Sequence, residues 1–236
     1  MKKIIGFILI AILAVACSTK KDGNMIVQGN IKGLKKGTLY LQKMQDTALV
    51  SVDSVKVSGD GNFRLTDNVE SPEMYYVTFN GNITNKRILF FGDKGTITIK
   101  DNIELFGFNP EITGSKNQLV FNDYMKINSK FQIQSLEFVK KEFDAKRDND
   151  KDLLEKLDKD YRNMIRRRYL YTTNFALTNA DSEAAPYIAL TELYNANIKL
   201  LDTINNSLSE GVKNSTYGKR LDTYIKGIKE KEKERK

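Results

Sequence analysis

The chain has 236 residues, 38 Lys and Arg against 30 Asp and Glu, a formal charge of +8, one cysteine and no histidine. Without imidazole or a second thiol it cannot build a disulfide, a usual zinc site, a Ser-His-Asp or Cys-His triad, or imidazole acid/base chemistry. Carboxylates, Lys, Tyr and Ser remain, and the length is enough for a real core in one or two domains.

The N-terminus is an address. Lys2 and Lys3 precede an apolar run from Ile4 to Ala16, followed by Cys17 and Ser18. Those 13 residues fall short of the roughly 20 a helix needs to span a bilayer, so residues 1–16 read as a signal peptide and not as an anchor. Ala16 and Cys17 resemble the last two positions of the bacterial lipobox, with Ala14 where leucine is usual. The resemblance implies cleavage between Ala16 and Cys17, and acylation of Cys17 as the new N-terminus. At about 0.8 kcal/mol per buried methylene, one chain binds a membrane marginally and two or three hold firmly. Ser18 in place of Asp implies an outer-membrane lipoprotein of the cell envelope, on its periplasmic face or at the cell surface. Cleavage removes Lys2 and Lys3, lowering the charge from +8 to +6 on 220 residues. Export argues against nucleic acid as a partner, and the expected membrane contact is lipid held through acylated Cys17.

Residues 17–24 lack apolar side chains after the cysteine and read as a flexible tether. From Met25 to about residue 115 the pattern has period two, with turns of Gly, Asn and Asp every eight to twelve residues. Met25, Val27 and Ile31 share one parity around Gly29; Leu39 and Leu41 follow. Val50 and Val52 change phase with Val55 and Val57, which predicts a bulge near Asp53 and Ser54. Phe63 with Leu65, then Tyr75, Val77 and Phe79, mark two more strands. Ile88 to Phe91 is apolar on both parities, as in a strand covered on both sides, and Ile97 with Ile99 completes seven. These imply an antiparallel β-sandwich or partly open barrel.

Ile26, Gly29, Ile31, Gly33, Gly37, Leu39, Tyr40 and Leu41 resemble the opening hairpin of the small β domain of unknown role that precedes a thioredoxin-like domain in many Gram-negative envelope lipoproteins. Asp53, Ser54, Val55, Gly61, Asn62 and Phe63 resemble its second hairpin, and Thr113, Gly114 and Ser115 its exit into helices. In those relatives a Cys-x-x-Cys dithiol carries oxidoreductase activity. This chain has no such motif, so the resemblance implies the non-catalytic front half alone; no cofactor is expected, and with no calcium-loop spacing among the acids no metal either.

Residues 116–236 switch to a helical period, giving an α+β chain whose second part is all-helical with a charged tail. Leu119, Phe121, Tyr124, Ile127 and Phe131 begin one helix, extended by Leu136, Phe138 and Phe143. The charged stretch from Lys146 to Asp152 marks a bend. Leu153, Leu154, Leu157, Tyr161, Met164, Ile165 and Tyr169 form an amphipathic stripe to bury. Ser182 before Glu183 and Pro186 signals a third helix, Leu200 to Leu208 a fourth ending near Gly211, and Leu221, Tyr224, Ile225 and Ile228 a last one that dissolves from Lys229.

Four features invite a functional reading. Arg166, Arg167 and Arg168 could grip an anion, but consecutive residues fan around a helix and read better as a solvated face. Alternating Lys and Glu from Glu230 to Lys236 nearly cancel. Tyr75, Tyr76, Tyr169, Tyr171, Tyr187 and Tyr194 could line a groove for glycan or peptide, or pack at core edges. Asp53, Asp60 and Asp67 fall at turns, where Asp serves the backbone. The expected function is therefore a lipid-anchored binding or accessory module whose partner is an envelope protein, peptide or glycan; the family resemblance implies an association with thiol-redox or envelope-maintenance systems, including a role as helper to a separately encoded thioredoxin-like protein. The alternative is a carboxylate-based hydrolase or transferase acting on such material; no catalytic or ligand-binding residue is singled out for either.

Overall fold

The computed structural model describes residues 23–81 and 86–234. Eight strands come first: β1 (Met25–Lys32), β2 (Lys36–Gln45), β3 (Ala48–Ser58), β4 (Asn62–Asp67), β5 (Glu73–Phe79), β6 (Arg87–Gly92), β7 (Gly95–Asn102) and β8 (Glu111–Thr113). Six helices follow: α1 (Lys116–Arg147), α2 (Lys151–Thr178), α3 (Ala184–Glu192), α4 (Ile198–Ser207), α5 (Glu210–Lys213) and α6 (Thr216–Glu234). The chain is α+β, with its strands in two open four-stranded sheets.

One sheet has the order β4-β1-β7-β8 and the other β3-β2-β5-β6. Their facing sides carry the alternating residues of the sequence pattern: Val27, Ile31, Leu39, Leu41, Leu65, Tyr75, Val77, Ile88, Phe90, Ile97 and Ile99 are buried in one core. Side chains that alternate in and out along each strand are what closes such a sandwich. Gly29 marks the tightest approach within a sheet. A Cβ there would lie 1.7 Å from the carbonyl oxygen of Ile99, its register partner on β7.

The antiparallel expectation needs one correction, because β1 and β7 run parallel, Met25 opposite Gly95 and Lys32 opposite Asn102. Between β1 and β7 the chain builds the whole second sheet and β4 of the first, a long excursion of the kind a parallel pair requires. The bulge falls at Val52: Leu41 faces Asp53 and Gln42 faces Ser51, so Val52 has no opposite number. The eighth strand, β8, pairs with β7 through Thr113, Ile112 and Glu111.

The β6 expectation of cover on both sides holds. Ile88 and Phe90 enter the sandwich core, while Leu89 and Phe91 face the helices, where Phe91 packs with Met74, Tyr124, Ala184, Ile188 and Tyr217. The helices thus form a third layer on the outer face of the second sheet. α1 is tied down at its start: the Ser115 side chain accepts the Gln118 N–H, and Gln118 Oε1 accepts the Phe91 N–H at 2.7 Å, occupying a donor on the β6 edge.

Several helical expectations change. Of the α1 stripe only Tyr124 is fully buried, whereas Leu119, Leu136 and Phe143 are well over half exposed. On α2, Leu157 and Met164 are buried but Leu153 and Tyr161 are not. Gly211 lies inside α5 instead of ending a helix, and α6 runs on to Glu234 instead of fraying from Lys229. α2, α3, α4 and α6 share a second helical core around Ala176, Leu201, Ile204 and Leu221. No helix among the described residues is long and apolar enough to cross a membrane.

Candidate functional site

Where the helical layer meets the second sheet, three periodicities converge on one crevice. From β5 come Met74 and Tyr76, two apart and hence on one face of the strand; Met44 lies near the end of β2. From α3 come Tyr187, Leu190 and Thr191, and from α6 Tyr217 and Arg220, spaced three or four apart as one face of a helix demands. The crevice has a volume of about 220 Å³.

Its base is aromatic. Tyr187 and Tyr217 approach with ring centroids 5.0 Å apart, and Phe91 meets them edge-on at 5.4 and 6.2 Å. The Tyr217 hydroxyl accepts the Met74 N–H at 2.9 Å. Burial pushes the Tyr217 hydroxyl up to about 12, an effect the Met74 bond partly offsets. Burial likewise drives Tyr187 well above the ordinary phenol value. Both therefore stay protonated and neutral. Two guanidinium groups lie over tyrosine rings of the crevice, Arg87 4.8 Å from the centroid of Tyr76 and Arg220 5.7 Å from that of Tyr217.

On the crevice's margin lies a half-buried polar cluster. Lys43 Nζ sits 3.0 Å from Asp67 and 3.2 Å from Glu73, and donates to the Tyr75 hydroxyl at 3.2 Å; that hydroxyl donates to Asp67 Oδ2 at 2.7 Å. Burial alone would lower Lys43, but the two carboxylates outweigh it and hold the ammonium above its ordinary value. Burial, reinforced by the same acids, raises Tyr75. The cluster closes the rim of the sandwich at β2, β4 and β5.

The residues singled out from the sequence separate. Ala16 and Cys17 lie outside the described residues, as does the leader. Tyr76 and Tyr187 do meet in the crevice, but Tyr75 points into the sandwich core, Tyr171 stacks on Tyr124 at 5.7 Å, Tyr169 packs in the second helical core and Tyr194 is exposed. Arg166 and Arg167 are exposed, while Arg168 pairs with Glu192 and donates to Asn128 Oδ1 at 3.0 Å. Asp53 accepts the Ser54 and Thr66 N–H groups, and Asp60 accepts that of Asn62; only Asp67 joins a charged cluster. Among the described residues no group of three Asp or Glu is placed to hold a metal ion.

Met44, Met74, Leu190, Thr191, Tyr217 and Arg220 were not anticipated. Tyr217 had a signal, since it stands four residues before Leu221 on the stripe of α6. The others gain meaning only from non-local packing.

A larger polar cleft, about 560 Å³, lies between the sheet and the start of α3. Its central groups are already engaged: Asn117 accepts from Ser182 Oγ at 2.6 Å and donates to Glu183 at 2.9 Å, bracing α1 against α3. The aromatic crevice is therefore the better candidate.

Residues 25–121 match the family model described as a domain of unknown function (DUF4369). The matched stretch ends just after Gln118 and Phe121 have docked α1 on Phe91. No curated protein and no solved structure matches the chain.

Proposed function

Starting from a chain that carries a DUF4369 domain over residues 25–121, we propose a lipid-anchored envelope protein that binds, without catalysis, a peptide segment of a partner protein in the crevice beside Tyr187 and Tyr217. The size of the crevice carries this reading. Small-molecule and substrate sites usually occupy about 300–1,000 Å³; at about 220 Å³ this one is scaled to a single large side chain. Desolvated pockets lined by Tyr and Arg and filled by one anchor are typical of binding hot spots. Met44 and Met74 add side chains that adapt to different anchors, and Arg220 offers the rim a charge for a carboxylate or carbonyl.

A carboxylate hydrolase would need two acids facing one ligand with opposed roles. Only Glu73 among the lining residues is acidic, and Lys43 already holds it. The anchoring half of the proposal rests on the order of Lys2, Lys3, the apolar run, Ala16 and Cys17. Seven residues, 18–24, then separate the lipid from Met25, at most about 25 Å of extended chain, which keeps the crevice within reach of partners at the same membrane.

The test is a peptide library screened by fluorescence anisotropy against the wild type and Thr191→Trp, whose indole fills the crevice from its rim. Peptides with an apolar anchor beside an acidic residue should bind the wild type and lose at least tenfold in affinity to Thr191→Trp. Equal binding to both proteins would refute the site.

A further inference from the structure

Between residues 132 and 162 the end of α1 and the start of α2 form an arm with few buried side chains. Ala145 is the sole buried residue of α1 there and Leu157 the sole one of α2 before Met164. Yet this arm is rich in apolar side chains on a second face. Ile133, Leu136, Val139 and Phe143 follow one another at steps of three, three and four, one side of a helix, and are 59–70% exposed. Between the two helices runs an open trough of about 400 Å³ with Phe138, Leu154, Leu157 and Tyr161 at its walls.

A two-helix arm with an apolar back is half of a four-helix bundle. We infer that the occupant is the arm of a second copy of this chain, so that the protein is a dimer joined through residues 132–162. Two observations select a copy over other partners. Ile133, Leu136, Val139, Phe143, Leu153 and Tyr161, each 38–70% exposed, offer on the order of 600 Å² per copy, most of the roughly 800 Å² per partner of a standard interface. The arm is also nearly neutral: residues 132–162 hold eight Lys and Arg against nine Asp and Glu, whereas the chain as a whole is +8. All of the chain's positive excess lies elsewhere, so this is the surface where two copies meet with least repulsion. A helix that docks on anionic lipid would instead carry a basic polar face. A twofold axis closes such a contact, as in most homo-oligomers.

The test uses the full chain in detergent. Sedimentation equilibrium at micromolar concentration should give twice the monomer mass for the wild type and the monomer mass for Leu136→Glu/Phe143→Glu, whose circular dichroism should be unchanged because both side chains are exposed. Phe143→benzoylphenylalanine, irradiated in native envelopes, should yield an adduct of twice the chain mass that maps to residues 132–162 of the second copy. A monomeric wild type, or an adduct with a different protein or with lipid in place of that dimer, would overturn the inference.

Discussion

Tyr217 and Met74 are 143 residues apart, and the hydroxyl of one accepts the backbone N–H of the other at 2.9 Å. That bond ties the last helix to the outward side of β5 and sets the Tyr217 ring beside Phe91 and Tyr187. Tyr217→Phe should cost about 1–3 kcal/mol, the penalty for stranding a buried N–H, and Tyr217→Ala about 3–5 kcal/mol. Urea unfolding midpoints check both; equal losses for the two variants would mean that the hydroxyl carries all of the contribution.

Alkali should unfold the protein. Burial raises the hydroxyls of Tyr75, Tyr124, Tyr187 and Tyr217, the last to about 12. Below pH 10 these tyrosines keep their protons folded or unfolded, so their contribution is constant. Above pH 10 the unfolded chain releases them first, and stability falls as pH rises toward and through the folded values; the rise at Tyr217 alone corresponds to roughly 3 kcal/mol. With no histidine in the chain, no imidazole step is expected between pH 6 and 8. Thermal midpoints across pH 6 to 12 give the profile.

The ion pair of Arg168 with Glu192, braced by Asn128, is half-buried between α1, α2 and α3. Glu192→Ala should destabilise by about 2 kcal/mol, below the 3–5 kcal/mol of a fully buried pair, because water still screens it. Arg168→Met/Glu192→Leu should recover most of that loss, since neither charge is then left alone. Failure of the double variant to recover would show that Asn128 depends on the arginine more than the arginine depends on Glu192.

Replacing Cys17 with Ser should abolish acylation and leave an uncleaved precursor in the membrane fraction. Intact-mass spectrometry of the native protein checks it, the expected product starting at Cys17 with its acyl chains. Normal maturation of the variant would contradict the lipobox reading.

Much of the sandwich was legible because burial imposes strict alternation: Val27 and Ile31, Leu39 and Leu41, and Ile97 and Ile99 each announce a strand by themselves. β8 escaped because a three-residue strand holds one buried residue, Ile112, and one residue has no period. The parallel pairing of β1 with β7 escaped because strand order is set by contacts remote in sequence. Leu136 and Phe143 misled for a different reason: α1 carries two apolar stripes, and periodicity cannot tell which one the fold covers. The crevice was legible only in part. Tyr76 and Tyr187 stood out as aromatic residues, but Met44, Thr191 and Arg220 become neighbours only after four elements pack.

The most direct test of the binding account is photo-crosslinking from the crevice in native envelopes. Thr191→benzoylphenylalanine in the full chain should give one dominant protein adduct, which Arg220→Glu weakens and a peptide selected for the crevice competes away. Labelling no stronger than that from Lys56→benzoylphenylalanine on β3, and indifferent to the competitor, would contradict it.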